Sequence, residues 1–128
     1  MARKAAAKPK RAARTLIQIK RVYDEPDRGD GLRILIDQLW PRGLSKASLK
    51  LDSWVKHLSP SNDLRKWYGH DPAKFGEFRK RYVAELKSQN EGVAELRAAV
   101  KGRIVTLLTA TKELDLSHAT VLRELLGA

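Results

Sequence analysis

At 128 residues, 42% of them hydrophobic, the chain has room for one domain with a modest core and little beyond a terminal appendage. The absence of cysteine excludes disulfides, thiol nucleophiles and thiolate-held metals, which fits a cytoplasmic protein. No apolar run reaches membrane-spanning length and no secretory signal is visible, so no membrane partner is expected.

The net charge of +11 is unevenly spread. Six of the 26 basic residues (Arg3, Lys4, Lys8, Lys10, Arg11 and Arg14) fall in residues 1–14 without an acid, leaving 20 basic against 15 acidic residues for the rest. Residues 1–14, alanine-rich and interrupted by Pro9, read as a disordered basic arm, and residues 15–128 as the folded domain. Such an arm could hold phosphate backbones by counterion release, or serve only as a solubilising leader or mistaken start.

From Leu16 to Tyr23, β-branched and aromatic residues predict a strand. Asp24 to Gly31 is a polar loop with Pro26, Gly29 and Gly31. Leu32, Leu35, Ile36 and Leu39 also fit a helical stripe. The short aliphatic run and the glycines before it favour a buried strand, Leu32 to Asp37. Directly after it comes Trp40-Pro41-Arg42-Gly43. Pro41 fixes its own φ and biases Trp40 away from helical geometry, while Gly43 accepts positive φ. This stiff turn carries Arg42, a planar five-donor cation suited to an anion held in a fixed pose.

Leu51, Trp54, Val55 and Leu58 predict a helix over Ser45 to Leu58, ended by Pro60. Ser61 is expected to cap a short helix bearing Leu64, Trp67 and Tyr68. Asp71-Pro72 opens the next helix, with Phe75, Phe78, Tyr82 and Leu86 on one face and Lys74, Arg79, Lys80 and Lys87 largely outside it. Asn90 is expected to cap a further helix ending at Gly102. Arg103 to Ala110 is the clearest strand, nearly all apolar and so expected at the centre of a parallel sheet. Ser117 then caps a last helix bearing Val121, Leu122 and Leu125. The pattern predicts a small single-domain α/β fold with a mainly parallel sheet flanked by helices.

Ligands of such folds sit beyond the carboxyl ends of the strands. That rule gathers Asp37, Trp40 and Arg42 after one strand, Thr109 and Thr111 after another, and Ser117 and His118 at the opening of the last helix. Arg21, near the end of the first strand, can meet Asp24 or a ligand anion. Arg42, Arg21, Trp40, Thr109 and Ser117 are therefore candidate ligand-binding residues for a phosphate- or carboxylate-bearing small molecule. If a reaction occurs, His118 is the acid/base candidate and Asp37 its partner. The alternative for each is bland: a helix cap, an exposed histidine, a carboxylate paired with a nearby arginine. Three histidines without HExxH spacing predict no metal site, and no glycine-rich dinucleotide or nucleotide loop predicts a cofactor. The competing reading is a nucleic-acid-binding or accessory protein that uses the arm and the basic face of Lys74, Arg79, Lys80, Arg81 and Lys87.

Four blocks also carry a resemblance: Lys20-Arg21-Val22-Tyr23-Asp24, Ile34 through Gly43, Trp67 through Pro72, and Leu107-Leu108-Thr109-Ala110 followed by His118. In this order they resemble the YeaO-like proteins, small bacterial proteins classed as a domain of unknown function. The resemblance spans Ile17 to Leu126 and implies a compact cytoplasmic α/β domain, without an established reaction. A sister branch is more loosely similar, with a strand ending in Val-Asp, an arginine and a proline after it, and a Cys-His-Arg triplet opening a helix. The matching positions here are Ser117-His118-Ala119, so a thiol or triplet-arginine role does not transfer. Asp37, His118 and the proline-arginine turn stay comparable.

Overall fold

The structure, a computed structural model, describes residues 14–127; apart from Arg14, the expected basic arm lies outside the described residues. Among these residues four strands, β1 (Leu16–Arg21), β2 (Leu32–Leu35), β3 (Ser53–Trp54) and β4 (Ile104–Thr109), form one sheet in the order β1-β4-β2-β3. All pairings are parallel. Leu16 lies opposite Ile104 and Arg21 opposite Thr109; Leu32 lies opposite Val105 and Leu35 opposite Leu108. The almost continuously apolar β4 is thus central, flanked on both sides, and the α/β class expected from the sequence is the one observed.

Among the described residues five α-helices accompany the sheet: α1 (Lys46–Leu49), α2 (Asn62–Tyr68), α3 (Phe75–Ser88), α4 (Asn90–Val100) and α5 (His118–Gly127). Among the described residues no helix is long and apolar enough to cross a membrane.

The two faces of the sheet are unequal. On one, Ile34, Val105 and Leu107 pack with the apolar stripes of α2 to α5 in a cluster of 18 buried residues. Tyr68, Phe78 and Tyr82 stack within it, with ring centroids 4.3 and 5.9 Å apart along the series. At about 1.5–3 kcal/mol for each large side chain fully buried, most of the stabilisation lies on this face. The opposite face has only Val22, Leu35, Leu49 and Leu108 as its buried cluster, covered by α1 and the loops around it.

That thinner face also holds a buried ion pair absent from the sequence reading. Arg33 Nη1 donates to Asp30 Oδ2 at 2.5 Å, its Nε and Nη2 donate to the Leu49 carbonyl, and Lys20 reaches Asp30 from β1 at 3.0 Å. Arg33 and Asp30 are both buried, so their charges are held by each other and by hydrogen bonds rather than by water.

The expected helix over Ser45 to Leu58 is not formed. Ser45 caps α1, but Lys50 at φ 50° in the left-handed region stops the helix after one turn. The edge of β2 then captures the chain: Asp52 N–H donates to the Arg33 carbonyl at 2.8 Å, and Val55 N–H to the Leu35 carbonyl at 2.9 Å. The Arg33 N–H donates to the Asp52 carboxylate at 2.8 Å, closing the bracket. Ladder hydrogen bonds thus override a helical spacing that Leu51, Trp54, Val55 and Leu58 carry by coincidence, and only a 3-10 turn, Lys56–Leu58, follows β3.

The Asn90 cap is also corrected. The cap position before α4 is Gln89, with no side-chain hydrogen bond, because α3 runs on to Ser88 and leaves one residue between the helices. The caps at Ser61 and Ser117 form as expected, Ser61 accepting from Leu64 N–H and Ser117 from Ala119 N–H; Asp71 accepts from Ala73 N–H but caps the 3-10 turn Pro72–Lys74, and α3 begins only after it, at Phe75.

Candidate functional site

The adjacent strands β2 and β4 send their chains to opposite faces of the sheet. Beyond β2 the path leads to α1, whose Leu49 packs with Leu35 and Leu108; beyond β4 it leads to α5, whose Val121 and Leu122 join the helical core. Divergence of this kind opens a crevice at the carboxyl ends of the two strands.

Asp37 stands at the mouth of that crevice, held in place through its whole carboxylate. Thr109 Oγ1 donates to Oδ1 at 2.7 Å and the Ala110 N–H to Oδ2 at 2.8 Å. His118 Nε2, at the first turn of α5, lies 3.0 Å from Oδ1. The ring nitrogen is buried and its N–H is not aligned on that oxygen, so the contact is more electrostatic than a well-formed hydrogen bond. Burial alone would raise the Asp37 carboxyl. The His118 imidazole, followed by the Ala110 amide and the Thr109 hydroxyl, outweighs it and holds the carboxyl below its usual value.

His118 is placed by its neighbours. Tyr82 presents an edge-on ring with centroids 6.2 Å apart, and Tyr68 Oη donates to the Leu116 carbonyl at 2.6 Å, tying α2 to the turn that precedes α5. Ser117, 2% exposed, is committed to that turn: its hydroxyl donates to the Leu114 carbonyl at 2.7 Å and accepts from Ala119 N–H at 3.2 Å. It is a cap, and no basic side chain stands on its oxygen. Thr109 is likewise buried and acts through Asp37, while Thr111 lines the cleft.

The turn after β2 is as stiff as its residues predict. Trp40 Nε1 donates to the Leu44 carbonyl at 2.7 Å, Gly43 has φ 82°, and Tyr23 Oη donates to the Arg42 carbonyl at 3.1 Å. The Arg42 side chain is exposed on the wall of the cleft, and among the described residues no carboxylate pairs with it. Arg21 does something else. Its guanidinium donates to the carbonyls of Ala110 and Thr111, each at 3.3 Å, and lies over the Tyr23 ring, bracing the loop after β4 from outside the cleft.

The crevice is a cleft of about 860 Å³ that brings together Asp37, Trp40, Arg42, Thr111, Ser117 and His118. Three further cations line it: Arg65 and Lys66 from α2, and Lys112 from the loop after β4. Local sequence does not disclose these three, because only the fold sets α2 and the loop after β4 around the same cleft as the turn after β2. Of the acids in the lining, Asp37 is engaged with His118 and Glu113 is the other.

The family described as the inactive DUF488-N3 subclade matches residues 16–128. An uncharacterized protein of Mycobacterium bovis and one of Mycobacterium tuberculosis are each 42% identical over 113 residues, covering 88% of this chain and 95% of the relative. The uncharacterized protein YeaO of Escherichia coli is 42% identical over 108 residues, 84% of this chain and 94% of the relative. No solved structure matches the chain at a significant level.

Proposed function

The chain belongs to the inactive DUF488-N3 subclade of YeaO-like proteins, and from that premise we infer that it is a binding protein, taking a small phosphate- or carboxylate-bearing molecule into the cleft at the strand ends. The carrying observation is the charge of the lining. Arg42, Arg65, Lys66 and Lys112 face a cleft whose acids are Glu113 and a carboxylate already engaged by His118. A concave site lined by one sign of charge concentrates ions of the other. Arg42 supplies the planar contact, and the lysines and Arg65 supply field. Asp37 and His118 form the polar floor. Ser117, committed as a helix cap, offers no activated nucleophile, which favours binding over covalent chemistry.

The nucleic-acid reading loses support on α3. Part of this basic face is paired or stacked: Arg79 pairs with Glu124, Arg81 with Glu77, and Lys74, just before α3, donates to the Trp67 carbonyl while lying over that ring, which leaves Lys80 and Lys87. Arg81 also covers Trp67, at 4.1 Å from the ring centroid, which removes it as a platform for a base.

Calorimetric titration with methylphosphonate and with acetate tests the proposal. Saturable binding that weakens as salt is raised, and is lost when Lys66→Glu and Lys112→Glu are combined, is expected. Absence of heat at millimolar concentrations of both anions would sink it.

A further inference from the structure

Resting on that anion-binding reading, we propose that the ligand carries an aromatic or heteroaromatic ring beside its anionic group. Size is the first reason. Pockets for drug-sized organic ligands run to roughly 300–1,000 Å³, and a cleft of about 860 Å³ is far larger than an inorganic anion needs.

The walls are the second reason. The turn after β2 contributes Leu39, Trp40 and Pro41, and the helices α2 and α3 contribute Tyr68 and Phe78. Leu39 is 68% exposed and lines the cleft. Nothing in the described chain covers it. Flat apolar and aromatic walls reward a flat apolar guest, and the cations of the same cleft reward an anion on that guest.

Two phosphonates that share one headgroup separate these parts: methylphosphonate and phenylphosphonate. Phenylphosphonate is expected to bind about tenfold tighter than methylphosphonate, since the ring adds apolar contact to the same anion. Leu39→Ser, at an exposed position, should shrink that advantage and leave methylphosphonate unchanged. Equal affinity for the methyl and phenyl compounds would overturn the ring and leave the anion site standing. Failure of both to bind would overturn the anion reading itself, and this inference with it.

Discussion

Asp37 Oδ1 and His118 Nε2 stand 3.0 Å apart where the end of β2 meets the start of α5, and the carboxylate is also held by Thr109 and Ala110. The folded Asp37 carboxyl lies below its ordinary value because these partners outweigh the burial that opposes them. Its stabilisation is therefore complete above the unfolded carboxyl pKa of about 3.9 and is lost as pH falls through the lower folded value. Asp37→Asn should cost about 1–3 kcal/mol at neutral pH, through donors left poorly met. The penalty should shrink in acid. Denaturant midpoints from pH 7 down to pH 2 supply the comparison, and parallel curves for the two proteins would remove Asp37 from this role.

Gly31 and Gly43 both have positive φ, at 62° and 82°, but their surroundings differ. A Cβ on Gly31 would lie 2.0 Å from the Ile104 carbonyl oxygen, where the chain passes the start of β4; one on Gly43 would meet nothing within 4 Å. Gly31→Ala combines strain with a clash against strand backbone and should cost about 3 kcal/mol or more. Gly43→Ala carries the conformational term alone, about 1 kcal/mol. Thermal melts of the two variants decide it, and similar melting temperatures would contradict the close approach.

The contrast between these elements explains what the sequence discloses. Strand β4 is legible because a central parallel strand must be apolar on both faces, and the caps at Ser61, Asp71 and Ser117 are legible because capping is local chemistry. Strand β3 is not. Ser53 and Trp54 are in strand conformation only because β2 has a free edge, a tertiary fact that local spacing cannot encode. The same division runs through the site. Asp37, Arg42 and His118 follow from the strand-end rule, whereas Arg65, Lys66 and Lys112 depend on how α2 and the last loop pack around the cleft. Arg33 was open to detection, as a lone charge inside the run Leu32 to Ile36, but its partner Asp30 sits in what reads as a polar loop.

The Asp30–Arg33 pair offers a test of that buried network. Arg33→Met leaves Asp30 buried with Lys20 as its remaining cation and strips the Leu49 carbonyl of both donors. Asp30→Leu leaves the Arg33 charge buried without a carboxylate. Asp30→Leu should cost about 3–5 kcal/mol, the usual penalty for an uncompensated buried charge, and Arg33→Met less, because Lys20 stays on Asp30. The double replacement should cost less than the two together, since no orphan charge survives. Urea unfolding of the four proteins gives the cycle, and strict additivity would show that the two side chains act independently.

Arg42 is the residue on which the binding proposal bears most directly. Its side chain is exposed, so Arg42→Lys and Arg42→Ala should each change stability by no more than about 0.5 kcal/mol. The backbone that carries it is fixed by Trp40, Gly43 and Tyr23 whatever side chain it bears. Binding should respond differently. Lysine keeps the charge but cannot present two parallel N–H donors to a phosphonate, so Arg42→Lys should weaken methylphosphonate binding by about 1–3 kcal/mol. Lys112→Ala removes a mobile point charge and should cost about 1 kcal/mol or less, most of it erased by salt. Titrations of the three variants at low and high ionic strength separate geometry from field. An Arg42→Lys protein that binds methylphosphonate as tightly as the parent would reduce Arg42 to one more positive charge, and the stiff turn that carries it would have no part in recognition.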